Sequence, residues 1–178
     1  MANYITILRI LLIFPVLALS SQEPNPINWI ALILFVIAGI TDHLDGYVAR
    51  KTGSATTFGA LLDLVADKML IIITLTYLIS YDTSLILIIP SLMIIIREIV
   101  VSALRQLLAE QEGKNPIKVS FIAKSKTTLQ IFALSFLIIS PNFGQTFFLI
   151  TVILFWLAAY VSLHSLYGYF KTYRNLIK

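Results

Sequence analysis

Four of the chain's five aspartates stand in two close pairs: Asp42 and Asp45 are three residues apart, and Asp63 and Asp67 are four apart. On a helix both spacings put side chains on one face. Seventeen residues separate Asp45 from Asp63, so two neighbouring helices would each present a carboxylate pair. Four bare negative charges repel, and an aspartate within an apolar helix costs about 2.5–3.5 kcal/mol on insertion scales. A cation must offset that. All-oxygen donor sets favour hard divalent ions such as Mg2+ or Mn2+. Four carboxylates suffice for two ions, the arrangement that clamps attacking and leaving oxygens in phosphoryl transfer. The plainer alternative is helix capping, or pairing with Arg50, Lys51 and Lys68. For Asp42 alone the plainer reading is the better one. For Asp63 and Asp67, flanked by Leu61, Leu62, Leu64, Val65 and Ala66, the metal reading is favoured.

These carboxylates sit in an unusually apolar chain of 178 residues, 58% hydrophobic and 12% charged, with a mean hydropathy of +0.91. Soluble domains carry about 25% charged residues. The composition excludes disorder, rods and most soluble folds. Cysteine is absent, which excludes disulfides, thiolate metal sites and a cysteine nucleophile. A membrane-crossing helix needs about 20 mostly apolar residues. Six such stretches are read, at 4–20, 27–48, 58–80, 84–107, 119–140 and 145–169. Short connections with turn chemistry join them, so the expectation is one all-α transmembrane catalytic domain over 1–178.

Charge gives the expected orientation. Every lysine and arginine, from Arg9 to Lys178, falls on the side shared by the N-terminus, the second and fourth connections and the C-terminus. The other three connections carry only Glu23 and Asp82. The positive-inside rule then places both termini and the site on the cytoplasmic side of a cell membrane. The net charge of +4 needs no nucleic acid to explain it. The first stretch resembles a signal peptide, with small residues near Ala18 and Ser20. Its removal would break the alternation, so it is expected to remain.

The segment TDHLDGYVARKTGSATTFGALLDLVADK contains Asp42-x-x-Asp45-Gly46-x-x-Ala49-Arg50, eight residues, then Gly59-x-x-x-Asp63-x-x-x-Asp67. This pattern resembles the signature of the CDP-alcohol phosphotransferase family at all eight of its positions. The opening stretch Asn3-Tyr4-Ile5-Thr6-Ile7-Leu8-Arg9 also resembles that of the family. The resemblance implies a six-helix membrane fold, a homodimer, and displacement of CMP from a CDP-linked lipid by an alcohol. It implies that Asp42, Asp45 and Asp63 are chiefly metal ligands, and that Asp67 is the base while also touching a metal. Gly46 and Gly59 would let a backbone or nucleotide approach closely, and Ala49 makes the same case more weakly. Arg50 can fork onto phosphate. Asn3 and Thr6 are candidates for the cytidine or ribose, with helix capping the alternative.

Arg97, Arg105, Lys118, Lys124, Lys126 and Thr127 gather in the distal half. A neutral acceptor calls for fewer cations than this; a phosphorylated one needs its phosphate held. The patterns REIVVSALR and KVSFIAKSKTTLQ resemble those of the bacterial phosphatidylglycerophosphate synthases. That likeness implies CDP-diacylglycerol and glycerol 3-phosphate as substrates, and phosphatidylglycerol phosphate as product. Alternatives are another acceptor (inositol phosphate, serine or phosphatidylglycerol), a non-catalytic scaffold and, more remotely, a divalent-cation transporter. His43 reads as non-catalytic and His164 as interfacial. Phe147, Phe148, Phe155, Trp156 and Tyr160 read as lipid-facing or dimer-packing surface.

Overall fold

The structure, a computed structural model, describes residues 2–52, 57–82, 84–111 and 121–177. Of these, the side chains of 2–3, 42–52, 57–58, 60, 105, 108–111, 121–126, 172–173 and 175–177 are not described. Six α-helices follow one another: α1 (Ala2–Leu19), α2 (Ile27–Thr52), α3 (Thr57–Ile79), α4 (Leu85–Gln111), α5 (Phe121–Ile139) and α6 (Gln145–Ile177). A single 3-10 turn, Ser140–Asn142, separates the last two. The described residues contain no strand.

Helix ends follow local chemistry. Ser20 closes α1 by donating from both its N–H and its Oγ to the Val16 carbonyl, the latter at 2.7 Å. Asn25 Oδ1 accepts from the Ile27 N–H at 2.9 Å and so opens α2. Asp82 Oδ1 accepts from the Ser84 N–H at 2.9 Å ahead of α4. These are the side-chain acceptors that helix starts require. Two helices run through a proline, Pro15 in α1 and Pro90 in α4. Proline has no N–H, so Pro90 leaves the Ile86 carbonyl without its helical donor. The Trp156 indole of α6 donates to that carbonyl at 3.1 Å. Trp156 is therefore an inter-helix contact rather than plain lipid-facing surface. Phe155 beside it is 1% exposed and belongs to the core.

Short connections make successive helices antiparallel. At one end meet the starts of α1, α3 and α5 and the ends of α2, α4 and α6. The opposite end is fastened by asparagines. Fully buried Asn28 donates to Asn142 Oδ1 at 2.8 Å, and Asn142 donates to the Asn25 carbonyl at 2.8 Å. Between the ends, Ile13, Phe35, Leu75, Ile94, Leu134 and Phe155 form a continuous apolar core.

Outside that core the usual arrangement of a soluble protein is inverted. Large apolar side chains are exposed on all six helices, as with Phe14, Ile33, Leu61, Ile96, Phe132 and Tyr160. The interior holds Arg9, Asn28, Arg97, Glu98, Gln130 and Ser162. An apolar shell around a polar interior suits lipid, where every polar group must be satisfied internally. Two helices carry a described segment long and apolar enough to cross a membrane, Leu85–Leu104 and Gln145–Lys171. The apolar parts of three others are shorter, at Tyr4–Leu19, Ile27–Thr41 and Thr127–Asn142. The sequence reading expects six full spans. These lengths count only the residues whose side chains are described, so the stretch in α1 starts at Tyr4, that in α2 stops at Thr41 and that in α5 starts at Thr127.

Candidate active site

The helix α1 packs on both α2 and α3. Its inward face runs Thr6, Arg9, Ile13, Val16, Ser20, all buried, at the three- and four-residue spacing of one helical stripe. Arg9 is 0% exposed. On α3, Asp63 and Asp67 share one face, and both turn an oxygen toward the same Arg9 nitrogen. Arg9 Nη1 donates to Asp67 Oδ1 at 2.7 Å and to Asp63 Oδ1 at 3.4 Å. The side chains of the two aspartates are 41% and 45% exposed, Asp63 and Asp67 respectively. Both carboxylates are therefore partly accessible.

A cavity of about 470 Å³ begins at Asp67 and Lys68 and extends between α3, α4 and α5. Gly39 of α2 and Tyr169 of α6 complete its wall. A Cβ at Gly39 would lie 3.3 Å from Ile131 Cδ1, so this glycine lets α2 and α5 close on each other beside the cavity. The far wall is a polar cluster. Arg97 donates through Nε to the Ser162 carbonyl at 3.2 Å, through Nη1 to Glu98 at 3.1 Å and through Nη2 to Ser165 Oγ at 2.8 Å. Gln130 donates to Glu98 at 3.1 Å and to Ser162 Oγ at 3.1 Å. The cluster is buried and joins α4, α5 and α6. A buried ion pair needs such supplementary hydrogen bonds to offset its desolvation.

Of the residues singled out in the sequence, the structure brings Asp67, Arg97 and Thr127 to this one cavity. Asp63 lies a turn away on the same face of α3. Thr6 is buried one turn before Arg9 on α1. Gly59 lies on α3, one turn before Asp63. Asp42, Asp45, Gly46, Ala49 and Arg50 lie on α2, and Arg105, Lys124 and Lys126 on α4 and α5. Their side chains, and that of Asn3, lie outside those described, as does the whole of Lys118. Among the described residues no three His, Cys, Asp or Glu side chains come together. The Asp63–Asp67 pair nevertheless suits a cation: its donors are all oxygen, and two of them already converge on one positive nitrogen.

Sequence reasoning missed Arg9 as a partner of Asp63 and Asp67. Its charge reads as one more mark of topology. The available signal was its place inside an apolar stretch, where an ionisable residue calls for a named partner. Gln130, Ser162, Ser165 and Tyr169 were likewise invisible as a group, because only tertiary packing joins three helices.

Comparison with known proteins finds relatives over most of the chain. The sequence model described as CDP-alcohol phosphatidyltransferase matches residues 1–163. A Rickettsia bellii protein named CDP-diacylglycerol–glycerol-3-phosphate 3-phosphatidyltransferase is 41% identical over 175 residues, covering 95% of this chain and 92% of the relative. A Haemophilus influenzae protein of the same name is 36% identical over 170 residues, covering 94% of this chain and 90% of the relative. With a match over nearly its whole length and a carboxylate pair on the expected helix face, the chain belongs to the CDP-alcohol phosphatidyltransferase family.

Proposed function

We propose that this protein transfers the phosphatidyl group of CDP-diacylglycerol to glycerol 3-phosphate, giving phosphatidylglycerol phosphate and CMP. The observation that carries the reading is the Asp63–Asp67 pair, converging on one Arg9 nitrogen, with Asp67 lining the same cavity as Arg97 and Thr127. The names of the relatives supply the acceptor. In this reading Asp42, Asp45, Asp63 and Asp67 hold one or two divalent ions, Mg2+ or Mn2+, which supply charge neutralisation at the diphosphate when bound. Arg50 holds phosphate oxygens. Asn3, Thr6, Gly46, Ala49 and Gly59 form the surroundings of the nucleotide.

Asp67 takes the proton of the acceptor hydroxyl at a carboxylate oxygen. The hydroxyl oxygen then bonds to the lipid phosphorus. The bond from that phosphorus to the bridging oxygen breaks, and CMP leaves with the electron pair. Arg97, Arg105, Lys118, Lys124, Lys126 and Thr127 hold the acceptor's phosphate away from the reacting centre. Arg97 is suited to this because its own hydrogen bonds fix it before any ligand arrives, and a preset cation loses little freedom on binding.

All six helices cross the membrane in this proposal, with both termini cytoplasmic and the protein working as a homodimer. The lipid's acyl chains stay in the bilayer while its headgroup reaches the carboxylates. The test is an acceptor panel: purified protein and CDP-diacylglycerol are offered glycerol 3-phosphate, serine, inositol or inositol phosphate, and CMP is measured. Release with glycerol 3-phosphate alone, abolished by chelator and restored by Mg2+ or Mn2+, is expected. Preference for another acceptor moves the assignment within the family, and indifference to chelation overturns the metal-dependent reading.

A further inference from the structure

We infer that Arg9 is a resident counter-cation for the Asp63–Asp67 pair, holding the two carboxylates together when no divalent ion is bound and weakening the grip of the ion when one is. The inference deepens the proposed function and rests on its metal reading. Three observations carry it. The guanidinium is fully buried while both carboxylates are nearly half exposed. A buried arginine cannot be neutralised by losing its proton, because its charge persists at any ordinary pH. It can only be matched, and among the described residues Asp67 at 2.7 Å and Asp63 at 3.4 Å match it. The geometry is also convergent, with one oxygen of each aspartate turned to a single nitrogen, as donors would turn to an ion.

Arg9 is buried on α1, while both carboxylates keep surface that a divalent ion can reach. A divalent ion bound there shares its ligands with a fixed positive charge a few ångströms behind them. That repulsion lowers affinity for the ion. A neighbouring cation shifts a carboxylate's affinity for a proton by about one to three decades, and the exposure of this pair places the effect on a metal at the lower end, about tenfold. The same charge keeps the empty site from flying apart. The protein thereby stays folded without its ion and exchanges it readily.

The test uses the full chain in detergent or nanodiscs, as unmodified protein, Arg9→Gln and Arg9→Gln/Asp63→Asn. Mn2+ affinity is read from the electron paramagnetic resonance of free Mn2+. Thermal unfolding is followed in chelator and in saturating Mn2+. Arg9→Gln should bind Mn2+ about tenfold more tightly. In chelator its unfolding temperature should fall by about 5 °C or more, with Mn2+ recovering most of the loss. The double variant removes one charge of each sign, so its stability in chelator should return toward that of the unmodified protein. If Arg9→Gln does not fold in chelator, rescue by the double variant supports the inference and failure of rescue overturns it. Mn2+ binding that is present but indifferent to residue 9 overturns the inference alone. Absence of saturable Mn2+ binding in the unmodified protein overturns the metal reading, and this inference with it.

Discussion

Asp67 meets Arg9 on one side and the cavity on the other, which suits a group that must be held still yet face a substrate. Asp67→Asn keeps the shape and removes the charge and the basicity. Turnover should fall by at least about a thousandfold, while binding of CDP-diacylglycerol, followed by isothermal titration, survives within about tenfold. Retained turnover would assign the proton to another group. Arg97 permits a different separation. Lysine keeps the charge but cannot span Glu98, the Ser162 carbonyl and Ser165 at once. Arg97→Lys should raise the KM for glycerol 3-phosphate by about tenfold or more with the KM for CDP-diacylglycerol little changed, as two-substrate kinetics will show. An effect on the lipid alone would detach Arg97 from the acceptor.

At the scale of elements, the site depends on contacts well away from the aspartates. The Trp156 indole replaces the helical donor that Pro90 lacks, and so ties α6 to α4 below the Arg97 cluster. Trp156→Phe keeps the apolar bulk and leaves the Ile86 carbonyl unmet. A loss of about 1–3 kcal/mol is expected, seen as a lower unfolding temperature in nanodiscs. Gly39 is the corresponding point between α2 and α5. Alanine there meets only the mobile end of Ile131, at 3.3 Å, and should be tolerated. Gly39→Leu forces the two helices apart or fills the cavity, and its activity should fall about tenfold or more with the protein still folded by its thermal melt.

The whole molecule is an apolar sleeve around polar clusters set at different depths. The asparagine clamp lies at one end, the carboxylates at the other, and the Arg97 cluster beneath the cavity. The absence of native cysteine makes orientation directly measurable. With Glu23→Cys and Lys178→Cys introduced singly, an impermeant thiol reagent on intact cells should label position 23 and spare position 178 until the cells are opened. The reverse pattern would invert the proposed topology and place the carboxylates on the outer face.

The all-helical class, the number of helices, the family and the carboxylate pairs are legible in the sequence alone. Each of these is written in local spacing: apolar runs of helical length, turn residues between them, and acids three or four apart. Asp63 and Asp67 share a face because any helix at that spacing makes them do so. What lies behind them is set by the packing of one helix on another. Arg9 is more than fifty residues from either aspartate, and along α1 alone it reads as a charge marking topology. Ser162 and Ser165 look unremarkable one helix at a time. In an apolar interior a polar group must find a partner wherever packing supplies one, and which partner that is depends on how helices cross, a property no window along the chain contains.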